Sequence, residues 1–314
     1  MDDMTRLGRS LGLATVADLA RSGISRASVD ARLRRGLWWR PLPRVVCLSA
    51  GRHLTREQRR VATLLWLPPC AVLSHFDAAA LWGLAVAEPE DVHVTVDRRH
   101  NPRPQPGYAV HRVDTLPDLD RAVRAGLRVT SFERTVVDTH DLIARRADRR
   151  AFVTQVFQQR RTTLGRLLGV VGRLPKLHHR TELVETASLA AGGLHSGREI
   201  DAYDWLVAAG FPPPVPQFPT VVAGRLRYID LADPVLRIAY EVDGLAHGEL
   251  AQRDADNDRD LELAADWWET VRVTTFRIRR DPAALRDKIA RLRAQRQRMA
   301  DAGLLLPATR ADAA

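Results

Sequence analysis

Apolar positions change period several times along the chain. From Thr15 to Gly23 they follow a short helical spacing that stops at a glycine suited to a helix C-cap. Ser25 stands where an N-cap belongs, and the spacing predicts a second helix over Ser25–Arg35 with Ala27, Val29 and Leu33 facing inward. Two short helices joined by a glycine turn form the helix-turn-helix pattern. After Gly36, residues 37–48 read as two β-prone stretches broken by Pro41 and Pro43, the outline of a wing. The pattern then loses definition over 144–180, which is helical in composition but has no convincing apolar period. That stretch predicts a linker helix or a phosphate-tracking arm.

Order returns at Ser196, an N-cap with Glu199 three residues later. A helix continues to Gly210, and the prolines at 212, 213, 214 and 216 make an extended bridge. Residues 225–231 alternate as a strand, Asp233-Pro234 turns the chain, and 237–244 read as the returning strand.

Charge is distributed in blocks. The chain carries 48 Lys and Arg against 38 Asp and Glu. Residues 1–60 hold 13 Arg against five acids, and 145–180 hold ten basic residues against one. Residues 230–270 reverse this with 12 acids against three Arg, and 272–300 return to ten basic residues against two acids. An acidic centre between basic flanks suits a metal-dependent enzyme of nucleic acid, with carboxylates for cations and Lys and Arg for phosphates. Solvated helix faces produce similar runs, so the blocks need support from motifs.

The returning strand supplies it. Glu241 and Asp243 are two apart, so both side chains share one face. A hairpin turning near Pro234 sets Asp230 approximately opposite Glu241. Three converging carboxylates repel one another unless a hard cation such as Mg²⁺ or Mn²⁺ lies between them. Glu199 is placed to add a fourth oxygen. On the N-terminal helix, Arg26, Ser28, Arg32 and Arg35 are side chains suited to base edges and phosphates of double-stranded DNA, and Arg40 and Arg44 of the wing suit the backbone.

Two resemblances follow from these residues. Gly12–Leu48 resembles the winged helix of AbiEi-type antitoxins, and Ala71–Leu84, Asp91–His100, Ala109–Val113 and Leu127–Asp138 are similar to the helix, strands and closing helix that follow it in that family. SGRE at 196–199, YIDLADPVLRIAYEVDG at 228–244, His247 and the segment 257–278 resemble a domain of unknown function related to the Vsr mismatch endonucleases, within the PD-(D/E)xK restriction-endonuclease-like superfamily. That match puts Glu199, Asp230, Glu241 and Asp243 on metal positions, His247 near a candidate general base, and Arg259 in reach of phosphate. The usual lysine after the second acidic motif is replaced by Asp243, and Trp267-Trp268 stands where Gly-Trp is common.

The expected fold is therefore α+β and multidomain. A winged helix-turn-helix (1–60) leads into a small α/β middle segment (61–143), followed by a basic helical linker (144–194). A restriction-endonuclease-like α/β/α domain (195–300) and a tail (301–314) complete it. The expected function is DNA binding with metal-dependent hydrolysis of phosphodiester bonds by an endonuclease. The competing reading is a non-catalytic antitoxin-like repressor with a cognate toxin as partner, and a third is a module that recruits a toxin or repair protein. No apolar run reaches membrane-spanning length, and MDDMTRLGRS lacks a signal-peptide core, so a cytoplasmic location without membrane contact is expected. Cys47 and Cys70 read as buried thiols. His75, His93, His100 and His111 offer a cation site as one reading, without tight ligand spacing.

Overall fold

The computed structural model describes residues 3–222, 224–242 and 261–308. The protein is a multidomain α+β chain of two compact units, Met1–Ala144 with Gly165–Arg180, and Arg145–Leu164 with Thr181–Ala314.

The first unit opens with α1 (Asp3–Ser10), β1 (Leu13–Thr15), α2 (Val16–Arg21), α3 (Arg26–Arg34), β2 (Trp39–Leu42) and β3 (Val45–Cys47). Local chemistry sets these bounds. The Thr15 hydroxyl accepts from the Asp18 amide at 3.0 Å, and the Asp18 side chain reaches back to complete a capping box. Gly23 takes φ 80°, which ends the first helix, and Ser25 Oγ accepts from Ser28 N to start the second. Val29 is buried and Leu33 packs beside Ala14, Leu19 and Val46. Ala27, expected inside, is exposed, because a helix this short covers the small core with one narrow stripe. The hairpin β2–β3 is joined by β1 in the order β1-β3-β2.

The chain continues through α4 (Arg56–Trp66), β4 (Val72–Leu73), α5 (His75–Leu81), β5 (Val92–Asp97), β6 (Tyr108–Val113), β7 (Arg121–Arg124), β8 (Leu127–Thr130) and α6 (Phe132–Leu142). Its sheet runs β6-β5-β4-β8-β7, with β5 parallel to β6 and β4 parallel to β8. Leu13, Leu42, Val45 and Cys47 share one core with Val61, Leu64, Leu73, Val92 and Val129. Residues 1–60 and 61–143 thus fall in one compact unit and share a core. Cys47 is buried as expected, while Cys70 is only half-buried.

The stretch expected as a linker or arm holds two packed helices, α7 (Arg146–Gln158) and α8 (Leu164–Arg173). Phe152, Val153 and Val156 of α7 are buried, and its Arg149 and Arg150 are buried as well. Arg149 pairs with Glu182 at 2.8 Å, and Arg150 with Asp201 at 2.6 Å and with Asp204. In α8, Arg173 pairs with the buried Asp120 and Arg166 with Glu133. These arginines are internal ion-pair partners rather than a row of free phosphate ligands.

The second unit adds α9 (Arg180–Ala191), α10 (Gly197–Ala208), β9 (Val215–Val222), β10 (Arg225–Asp233) and β11 (Ile238–Glu241). Then come α11 (261–265), β12 (Glu269–Arg272), α12 (Thr275–Arg280) and α13 (Pro282–Asp301). The sheet order is β12-β11-β10-β9, with β12 parallel to β11 and the other pairs antiparallel. Leu231, Tyr240 and Val271 lie side by side in register and pack on Ile200 and Leu206 of α10 and Leu285 and Ile289 of α13. Phe218, Ile229 and Ala239 face Leu263 and Trp268. Both faces are covered, giving the expected α/β/α layering. The extended proline bridge leads into β9, whose Pro216 and Pro219 are tolerated because it is an edge strand. The tail after Asp301 also packs, with Leu305 buried and Ala308 N donating to Pro234 O at 2.8 Å.

Candidate functional site

The acidic cluster is built from α10 and three strands. Ser196 Oγ caps α10 by accepting from Glu199 N at 3.1 Å. The Glu199 carboxylate is buried and accepts from His195 N at 2.9 Å and from Gln217 Nε2 at 3.3 Å. Gln217 adopts φ 44°, a left-handed conformation uncommon outside glycine and found where a side chain is being re-aimed. It sits between the pairs Ile229↔Phe218 and Leu231↔Pro216, at the level of Asp230. The pairing Leu231↔Tyr240 sets Asp230 opposite Glu241, as the hairpin predicts. Asp230 Oδ2 accepts from Val242 N at 3.2 Å, so one oxygen holds the end of β11. Glu241 is buried, 7% exposed, on a central strand, and the parallel register puts Arg272 of β12 across from it.

Asp243, His247 and Arg259 lie outside the described residues. Glu199, Asp230 and Glu241 share one region of the sheet but do not form a single tight ligand shell. Among the described residues, the group of His, Cys, Asp or Glu whose ligand atoms all lie within 4.8 Å of one another is His75, His93 and His111. Both bonds to Glu199, from the His195 amide and the Gln217 side chain, fall on its Oε2.

On the winged helix, Arg26 and Arg35 are exposed, and Ser28 and Arg32 are half-buried. Arg32 folds along its own helix, donating to Ser28, with its guanidinium 4.8 Å from the Trp38 ring centroid. Arg40 lies 3.5 Å from Asp30. Arg44, at φ 66° in the β2–β3 turn, donates to Trp66 O at 3.0 Å and so braces the core of its own unit. Arg34, next to Arg35 at the end of α3, is exposed as well. The basic block at 272–300 supplies another surface. Arg277, Arg280, Lys288 and Arg291 line a cleft of about 390 Å³ between α12 and α13.

Of the four histidines weighed as a cation site, the fold brings three together. His75 begins α5, while His93 and His111 lie on the parallel strands β5 and β6, offset by two residues in the register Thr95↔His111. His93 Nδ1 lies 3.0 Å from His111 Nε2, and the His75 and His111 rings stack at 3.7 Å. Burial holds all three below the ordinary histidine pKa, His111 down to about 4, and the neighbouring imidazoles push His75 and His111 further down.

No family model matches the chain, and no curated protein is similar to it. Among solved structures it is similar to the crystal structure of the RV2827C protein from Mycobacterium tuberculosis. That likeness has 16% identity and a TM-score of 0.44, and covers 60% of this chain and 74% of that one.

Proposed function

We propose that this chain binds duplex DNA through its winged helix and hydrolyses phosphodiester bonds at the Asp230–Glu241 region of its second unit. The observation that carries the reading is the register. Asp230 and the buried Glu241 are opposite one another on adjacent strands, and Glu199 reaches the same region through Gln217. A buried carboxylate beside a second one is costly unless a cation or donor compensates it. The donors are carboxylate oxygens, the class that suits Mg²⁺ or Mn²⁺.

Asp230 and Glu241, with Asp243, are the residues that would hold the ion, and Glu199 positions Gln217 behind them. When bound, such an ion supplies Lewis-acid polarisation of a phosphoryl oxygen. The rest of the work falls to the chain itself. His247 is the candidate for proton transfer, since no lysine follows Glu241. Arg277, Arg280, Lys288 and Arg291 offer four cations to a phosphate backbone from one cleft. The exposed Arg26 and Arg35 of α3 suit the major groove and its flanking phosphates.

A second reading, a non-catalytic antitoxin-like repressor with a toxin partner, is favoured by one observation. Glu199 and Asp230 already accept backbone amides, which are structural duties. Supercoiled plasmid separates the two. Wild-type protein with Mg²⁺ or Mn²⁺ nicks it under the first reading, and Asp230→Asn and Glu241→Gln do not. Tight DNA binding without nicking in either metal would establish the repressor instead.

A further inference from the structure

We propose that His75, His93 and His111 form a binding site for a borderline divalent transition metal of the Zn²⁺ class, separate from the carboxylate region and with an open coordination position beside His111. The three ligand nitrogens already lie within 4.8 Å of one another. A tetrahedral Zn²⁺ with bonds of about 2.0–2.1 Å separates its ligand nitrogens by roughly 3.3 Å. The 3.0 Å between His93 Nδ1 and His111 Nε2 is close to that edge, and the stacked His75 and His111 rings would turn on binding so that their in-plane lone pairs meet at the ion.

The surroundings are those of a prepared site. Ser74 precedes α5 as its N-cap residue but makes no side-chain cap. Its hydroxyl instead lies 2.8 Å from His75 Nδ1 and accepts from Thr95 Oγ1 at 2.8 Å. With Nδ1–H donated to Ser74, Nε2 of His75 would be the lone-pair nitrogen, the kind of supporting contact that metal-ligating histidines ordinarily have. His75 is held at φ 51°, a left-handed backbone that a residue with a Cβ adopts at a cost and that often marks functional positions. Asp77, fully buried, accepts from His93 N at 2.7 Å and is locked by Arg56 and Arg60, which ties α5 to β5.

Imidazole selects Zn²⁺, Cu²⁺, Ni²⁺ or Fe²⁺ over Mg²⁺, which prefers oxygen. His111 lies on the edge strand β6 and is only half-buried, so it defines the side from which an ion enters and on which a fourth ligand fits.

The test uses the metal-free full-length protein, titrated with Zn²⁺ and with Co²⁺ as a visible probe, and with Mg²⁺ as the comparison. One equivalent of Zn²⁺ should bind per chain, and Co²⁺ should give the intense visible bands of a four-coordinate site that Zn²⁺ then bleaches. His111→Ala, at the most exposed ring, should weaken Zn²⁺ binding by at least about tenfold. Asp230→Asn should leave it unchanged, which keeps this result independent of the nuclease reading. Failure of wild type to saturate at millimolar Zn²⁺ or Co²⁺, a weak six-coordinate Co²⁺ spectrum, or undiminished binding in His111→Ala would each overturn the site. Should His111→Ala lose its far-ultraviolet dichroism, the wild-type Co²⁺ spectrum still decides.

Discussion

Asp77 is the residue whose removal the first unit should tolerate least. It is fully buried, and its carboxylate accepts from Arg56 at 3.0 and 2.9 Å, from Arg60 at 2.8 Å and from the His93 amide at 2.7 Å. Asp77→Ala leaves two guanidinium groups and one backbone N–H without that acceptor. Breaking a buried ion pair by deleting one partner costs about 3–5 kcal/mol. Two features place this case near the lower end. Arg60 keeps Glu88, and Arg56 keeps the carbonyls of Pro89, Glu90 and Asp91. The expected loss is therefore about 3 kcal/mol, and at roughly 2–4 °C per kcal/mol for a body of this size Tm should fall by about 6–12 °C. Asp77→Asn retains one acceptor for the His93 amide and should recover about 1 kcal/mol of this. Calorimetry gives the Tm, and hydrogen exchange at the β5 amides assigns the change to the first unit. A shift below about 1 kcal/mol with β5 still protected would refute the reasoning, because it would mean the two arginines are satisfied without the carboxylate.

Three further outcomes follow from the same contacts. Arg150→Ala should destabilise the second unit by about 1–2 kcal/mol, mostly by losing its buried stem because the partly exposed Asp201 and Asp204 rehydrate, and Arg150→Met should cost less by keeping that stem; urea melts compare them. Arg35→Ala should weaken duplex binding and lower the slope of log K against log salt by about 0.9, whereas Arg44→Ala should leave DNA affinity unchanged and lower Tm; salt titrations by fluorescence anisotropy check both. Ser196→Ala should cost about 1 kcal/mol by uncapping α10, read by chemical denaturation, and an unchanged midpoint would show that the His195–Glu199 bond fixes that helix end alone.

What the sequence determined by itself was whatever depends on near neighbours. Thr15, Gly23 and Ser25 mark helix ends because caps are satisfied within three residues, so the helix-turn-helix was legible. Asp230 opposite Glu241 was legible because a strand alternates with period two and the Pro234 turn pins the register locally. Tertiary structure decided the rest. The extended proline segment did not show itself as a strand, because only pairing with β10 at the sheet edge makes β9 one. The basic run at 145–180 looked solvated because the acids that bury Arg149 and Arg150 come 33 to 54 residues later. The histidine cluster had no tight ligand spacing. His75, His93 and His111 come from a helix start and two parallel strands, and parallel strands meet only through a long connection that no local spacing encodes.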